Sequence, residues 1–238
     1  GAQANLLRAS SVRINGKLTV FDATGAIPSA NSINQSRGAA GAATTTDVQF
    51  NSRIGTSGMF QNVNIASNDT GQTLESVRQY GRLCASVLSS THSSEDFLQN
   101  SAVTELNAGV DAVSANMAGN TCNFSVRLFA GLLQGGNAIP MSVNGVRGLT
   151  ITLELASDQQ FLKGADASAG AGATYQIKDL SLTGDYLVPD AQGQQKLSVP
   201  GNGAFGYNSY NNLYSVIDSG DATQTYNLAQ SNVLNVFH

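Results

Sequence analysis

Apolar and polar positions alternate with a period of two along much of the chain, the signature of strands that bury one face. Leu149, Ile151, Leu153 and Leu155 alternate with Thr150, Thr152 and Glu154 in the most regular run. Phe124, Val126 and Leu128 share one face, with Ser125 and Arg127 on the other. Met59 to Ile65 reads as a further strand, with Val63 and Ile65 set against Asn62 and Asn64, and Asp47 to Phe50 as a shorter one. Ser11–Ile14 and Lys17–Phe21 flank Asn15-Gly16. That dipeptide predicts a hairpin, because a type I′ turn needs positive φ at both central positions. Tyr175 and Ile177 keep one register while Leu180 and Leu182 keep the other. A β-bulge near Lys178-Asp179 reconciles them, since one extra residue shifts the facing set. Pro189 ends the strand through Tyr186-Leu187-Val188.

A helical period shows in one place. Leu74, Val77, Cys84, Val87 and Leu88 form a stripe, Thr73 is placed to cap it, and Glu75 suits the positive end of its dipole. Gly81 weakens its middle by about 1 kcal/mol relative to Ala. A second short helix is expected from Ser93 or Ser94, before Glu95-Asp96. Residues 101–120 read as a long excursion, and Ala23–Thr46 and Gly164–Thr174 as loops or extended arms of small residues. Beyond Pro189 the texture changes. Asp190–Gln195 is a polar connector, and Phe205, Tyr207, Tyr210, Leu213, Tyr214 and Val216 make an aromatic, β-prone run. A turn at Asp218–Asp221 and an apolar stretch from Val233 to Phe237 follow. That last stretch needs a mate, elsewhere in the fold or on another chain. The pattern therefore predicts an all-β sandwich with helical insertions and long loops over residues 1–188, followed by a tail over 189–238. A doubly wound α/β fold would need helices after most strands.

Composition narrows the function classes. Of 238 residues, 12 are Lys or Arg and 16 are Asp or Glu, a formal net charge of −4. No basic excess exists to neutralise phosphates, so nucleic-acid binding is not expected. Charged residues make up 12% of the chain and apolar ones 41%. Leu197–Ile217, Leu128–Val146 and Ala23–Ser36 carry no charge at all. Surfaces of this kind repel each other weakly and suit self-association or an extracellular or virion setting. No apolar run reaches the ~18 residues of a membrane span, and Gly1–Asn5 is not an intact signal peptide.

The search for chemistry is negative: no catalytic, cofactor-binding or metal residue is assigned. His92 and His238 have no Cys, Asp or Glu at zinc spacing, and His92 reads as a loop residue. Gly131–Gly136 lacks the Lys-Ser/Thr ending of a P-loop and reads as a turn. Asp218 and Asp221 miss the EF-hand pattern. Glu95-Asp96 serves a helix start better than glycoside chemistry. Asn34 and Asn123 fit the glycosylation sequon, a triplet common by chance. Cys84 and Cys122 read as buried thiols.

One ordered set of segments has a family look. Gly71–Tyr80 is followed by Phe124–Leu128, Gly131-Leu132-Leu133, Ala138-Ile139-Pro140-Met141, Gly148–Leu155 and Tyr175–Leu182. This series resembles the jelly-roll major capsid proteins of tailless icosahedral DNA viruses, especially the double jelly-roll type of polinton-like viruses and virophages. The likeness spans roughly residues 50–188. It implies a jelly-roll β-sandwich over residues 1–188, with residues 189–238 as the opening strands of a second roll or an exchanged β-arm. Double jelly-roll proteins are usually much longer than this chain. By the same resemblance the protein is a capsid subunit in the virion, not an enzyme, whose partners are copies of itself, as trimers, and other capsid proteins. A secreted or cell-surface adhesin or carbohydrate-binding module, using the tyrosines of Tyr207–Tyr210, is the alternative; a jelly-roll hydrolase is a third.

Overall fold

The computed structural model describes residues 5–21, 48–50, 55–91, 121–136, 138–141, 147–164, 174–198, 206–210, 220, 223 and 225. The expectations for 23–46, 93–96, 101–120 and 233–237 lie outside them. In chain order the elements are β1 (Leu6–Arg8), a 3-10 turn at Ala9–Ser11, β2 (Arg13–Phe21), β3 (Val48–Phe50), a second 3-10 turn at Gly55–Met59, β4 (Phe60–Ser67), β5 (Thr73–Val77) and α1 (Tyr80–Thr91). Then follow β6 (Thr121–Arg127), the single turn α2 (Gly131–Gln134), β7 (Ala138–Pro140), β8 (Leu149–Leu155), the single turn α3 (Asp158–Phe161), β9 (Leu162–Gly164), β10 (Thr174–Thr183), β11 (Tyr186–Leu187) and α4 (Ala191–Ser198).

Among the described residues the fold is β-rich, with few helices. Three sheets there have three strands each, in the orders β11-β1-β7, β10-β2-β6 and β5-β4-β8, and β3 pairs with β9. Every ladder among the described residues is antiparallel. Alternation puts Ile14, Leu18 and Val20 of β2, Val63 and Ile65 of β4, and Phe124 and Val126 of β6 into one core with Tyr80, Leu132, Leu133 and Phe161. β8 bears out its pattern as far as Leu153: Leu149, Ile151 and Leu153 are partly buried against that core and Thr150, Thr152 and Glu154 face outward, whereas Leu155, expected on the buried face, is 48% exposed.

The expected bulge in β10 is present. Lys178 pairs with Lys17 and Ser181 with Asn15, so two residues of β10 oppose Gly16 alone. Asp179 takes φ 53° there, a left-handed conformation that Asp tolerates better than most residues. Lys17 Nζ lies 2.8 Å from Asp179 Oδ2 across the bulge.

Three expectations are corrected. Asn15-Gly16 is not a hairpin turn; it lies inside β2, paired on one side with β10 and on the other with β6. Gly16 stands opposite Phe124, and a Cβ on it would come within 2.7 Å of the Phe124 ring and 3.2 Å of the Lys178 carbonyl oxygen. The glycine is there because a ring and a bulged backbone close on it. Thr73–Val77 is not the first turn of a helix but strand β5, and α1 begins only at Tyr80. Ile65 pairs with Glu75 and Ala66 with Thr73, so Leu74 is an extra residue in the ladder. Leu74, Glu75 and Val77 are all buried as a result, and the Leu74–Val77 spacing imitates a helix. Gln79, at φ 52°, breaks the strand, and its N–H donates to Asn62 Oδ1 at 3.1 Å. Its carbonyl then accepts the N–H groups of Arg82 and Leu83 to open α1. Asp190–Gln195, read as a polar connector, is largely helical in α4. Asp190 Oδ1 accepts the Gly193 N–H at 2.8 Å and its carbonyl accepts that of Gln194, which starts the helix.

Candidate functional site

The bulge in β5 turns Glu75 inward, where its side chain is 2% exposed. A buried carboxylate must find donors, because leaving it unpaired carries a large desolvation penalty. Glu75 finds three backbone N–H groups. Gly131 donates to Oε1 at 2.8 Å, Leu132 to Oε2 at 2.8 Å, and Tyr210 to Oε1 at 3.1 Å. The first two belong to the opening of α2, whose N–H groups lack intrahelical acceptors. Sequence reasoning gave Glu75 this kind of partner but placed it on its own segment. The acceptor in fact serves a turn far along the chain.

The third donor brings in the segment Gly206–Tyr210. Tyr207 donates its hydroxyl to the Leu74 carbonyl at 2.5 Å, and the Tyr210 ring lies 4.8 Å from that of Phe129. Asn208 crosses Gly131 so closely that a Cβ there would lie 1.5 Å from the Asn208 carbonyl oxygen. Burial, and then the charge of Glu75, raise the Tyr207 phenol above its ordinary value. The two tyrosines that the sequence offers as a sugar platform are thus engaged within the chain. Nearby, Tyr80 is fully buried and its hydroxyl accepts the Phe129 N–H at 2.6 Å. The ensemble is a structural clasp built of hydrogen bonds to backbone.

A second feature faces outward. Leu180, Leu182, Tyr186, Leu187 and Val188 are large apolar side chains between 48% and 58% exposed. They come from β10 and β11, each the outer strand of its sheet among the described residues. Leu182 is paired with Ile14, so it extends the same face on which Ile14 is buried. Upstream, that face of β10 is covered. Tyr175 donates its hydroxyl to the Ala156 carbonyl at 2.5 Å, its N–H goes to Asp158 Oδ1 at 3.1 Å, and its ring meets Phe161 edge-on at 4.9 Å. Past the bulge the cover stops. The backbone there is nonetheless fixed. Asn15 Nδ2 donates to Thr183 Oγ1 at 3.0 Å, Asp185 donates its N–H to Ser11 Oγ at 2.7 Å, and the Asp185 carbonyl accepts the Arg8 N–H at 3.0 Å.

The residues weighed for chemistry are spread out. His92, His238, Glu95, Asp96, Asp218, Asp221 and Asn34 lie outside the described residues. Cys84 is fully buried on α1, Cys122 belongs to β6, and Asn123, exposed, pairs with Lys17 in the ladder. Among the described residues no three His, Cys, Asp or Glu side chains gather to hold a metal ion. No helix among them is long and apolar enough to cross a membrane. The clasp could not be located from the sequence because it depends on β5 slipping by one residue against β4, and the apolar edge could not because alternation does not tell which stretch of a face is covered. Compared with family models, curated proteins and solved structures, the chain finds no match.

Proposed function

We propose that this chain is a structural protein of a virion: a capsid subunit, built as a jelly-roll β-sandwich, that assembles through its sheet edges with copies of itself. The observation that carries the reading is the exposed apolar rim from Leu180 to Val188 on a backbone held by ladders and turn hydrogen bonds. A rigid β framework that keeps large apolar side chains outward suits a building unit, whose work is done by surfaces. The low charge supports it, since copies with few charges approach without strong repulsion. The resemblance over residues 50–188 supplies the virion context and the trimer as the unit of assembly. Other capsid proteins are the remaining partners it suggests.

The test is electron microscopy of the purified full chain, paired with light scattering on a sizing column. Trimers, or shells and sheets of regular repeat, are the expected outcome. A particle that stays monomeric up to high concentration would overturn the proposal. A monomer that binds glycans on an array would point to the carbohydrate-binding alternative instead.

A further inference from the structure

We infer that Asn15-Gly16 is a covalent modification site, converted to isoaspartate in chains whose β2 is open and shielded in chains whose β2 is paired. The dipeptide carries the chemistry. The backbone nitrogen of Gly16 attacks the side-chain carbonyl carbon of Asn15, the C–N bond of the amide breaks, and ammonia leaves with the proton that the attacking nitrogen gives up. Glycine leaves that nitrogen unhindered, because no Cβ stands beside it. Water then opens the succinimide ring so formed. Cleavage at the side-chain carbonyl gives aspartate. Cleavage at the main-chain carbonyl gives isoaspartate, whose backbone runs through the former side chain and is longer by one methylene group. Water is the only other reactant.

The fold withholds both reacting groups. Asn15 lies in the middle strand of the β10-β2-β6 sheet, paired with Ser181 on one side and Ser125 on the other. Closing a five-membered ring turns its ψ far from the value of about +135° that an antiparallel strand holds. Its Nδ2, the nitrogen that must leave, donates to Thr183 Oγ1 at 3.0 Å. Gly16 is buried between the Phe124 ring and the Lys178 carbonyl. The reaction therefore waits for β2 to part from its neighbours, an opening that few molecules undergo at any moment. The product cannot be fitted back. The β2–β6 ladder runs one-to-one from Arg13–Arg127 to Thr19–Thr121, with no bulge to take up an extra backbone carbon. Ile14 on one side of the site is 3% exposed, and Leu18 and Val20 on the other are 0%. A longer main chain between them drives one set out of the core. The site thus sorts chains. Those that pair β2 keep the amide, and those that linger open are marked and barred from the fold.

The experiment incubates the full wild-type chain in mildly alkaline buffer, with and without urea. Mass spectrometry that separates isoaspartate from aspartate follows the peptide around Asn15. Asn144-Gly145 and Asn202-Gly203, the same dipeptide outside the described residues, calibrate the unfolded rate. In urea all of these sites should convert at similar rates. Without urea, conversion at Asn15 should slow by about tenfold or more. When urea is removed, chains with isoaspartate at position 15 should be missing from the folded fraction. Asn15→Asp changes the charge but not the backbone length, and that chain should refold. Asn15→Ser has no amide to lose, so after long incubation in urea it should keep more of its refolding yield than wild type. Equal rates at Asn15 with and without urea would overturn the shielding. Isoaspartate chains that refold beside unmodified ones would overturn the exclusion. An Asn15→Asp chain that fails to fold would overturn it too, because charge and not the added methylene would then be the cause.

Discussion

Glu75 Oε1 lies 2.8 Å from the backbone nitrogen of Gly131, 56 residues further along the chain, and the same oxygen accepts the N–H of Tyr210, 135 residues away. One carboxylate thereby ties β5, the start of α2 and the segment Gly206–Tyr210 together. Glu75→Ala strips acceptors from donors that the fold keeps out of water. It should lower stability by roughly 2–4 kcal/mol. Glu75→Gln keeps one acceptor oxygen and should lose about half as much. Urea unfolding midpoints check both values. A loss no larger than that of a surface substitution would show that the three donors are satisfied otherwise.

Gly131 tests the same clasp from the other side. Gly131→Ala puts a methyl group where the Asn208 carbonyl lies, and backbone cannot yield as a flexible side chain does. Gly206–Tyr210 should be displaced. Chymotrypsin should then cut after Tyr207 and Tyr210 many times faster than in wild type, while the melting of the remaining β structure falls by only a few degrees. Equal cleavage rates would show that the crossing has room to adjust.

Gly16 and Phe124 should be coupled energetically. Gly16→Ala brings a Cβ against a ring that is itself buried, and overpacking of this kind typically loses about 1–3 kcal/mol. In the double variant Gly16→Ala/Phe124→Leu the smaller side chain makes room, so the combined loss should fall short of the sum of the single losses by about 1 kcal/mol. A double-mutant cycle in urea measures this directly, and strict additivity would remove the close approach as the reason for the glycine.

Asp179 takes a left-handed conformation at the bulge. Asp179→Gly should be tolerated or slightly stabilising, since glycine adopts that conformation freely and the ion pair to Lys17 is exposed to solvent. Asp179→Val should destabilise, because a β-branched residue resists positive φ. Thermal midpoints of the two variants should therefore move apart in sign or at least in size.

Alkaline pH should weaken the fold through Tyr175. Burial, and then the charge of Asp158, push its phenol from 10.0 to about 12. The folded state holds this proton more tightly than the unfolded chain. The associated stabilisation is complete below pH 10 and is lost as pH rises toward 12. Urea midpoints should fall across that window, and Tyr175→Phe should flatten part of the fall. Ultraviolet titration of tyrosinate in the native protein should show one late component that the variant lacks.

The alternating runs were legible because a strand needs only its own neighbours to display a period of two. Leu149–Leu153, Phe124–Leu128 and the phase change at Lys178-Asp179 appear in the structure as read. Two of the misreadings share one cause. At Asn15-Gly16 and at Leu74-Glu75 the local sequence carries a turn or a helical spacing, and a distant strand decides otherwise. Gly16 is explained by Phe124 and Lys178, and Leu74 by a slip against β4, and neither partner can be inferred from adjacent residues. The negative charge of Glu75 points to a helix start, and that chemistry is the one it performs. Which helix start it serves is a matter of tertiary contact. The apolar rim was visible only as strand-like residues, because exposure is not written in alternation.

The bulge in β10 has a wider consequence for the chemistry of the chain's outer wall. Were the strand to run on in the phase set by Tyr175 and Ile177, the inward positions beyond it would fall to Asp179, Ser181 and Thr183, and the leucines would turn away from Ile14. By taking up one extra residue, the bulge hands those positions to the leucines instead. Loss of the Asp179 codon would set Leu180 opposite Gly16 and keep Leu182 opposite Ile14 in an unbroken ladder, so the sticky border would outlive the kink that accompanies it.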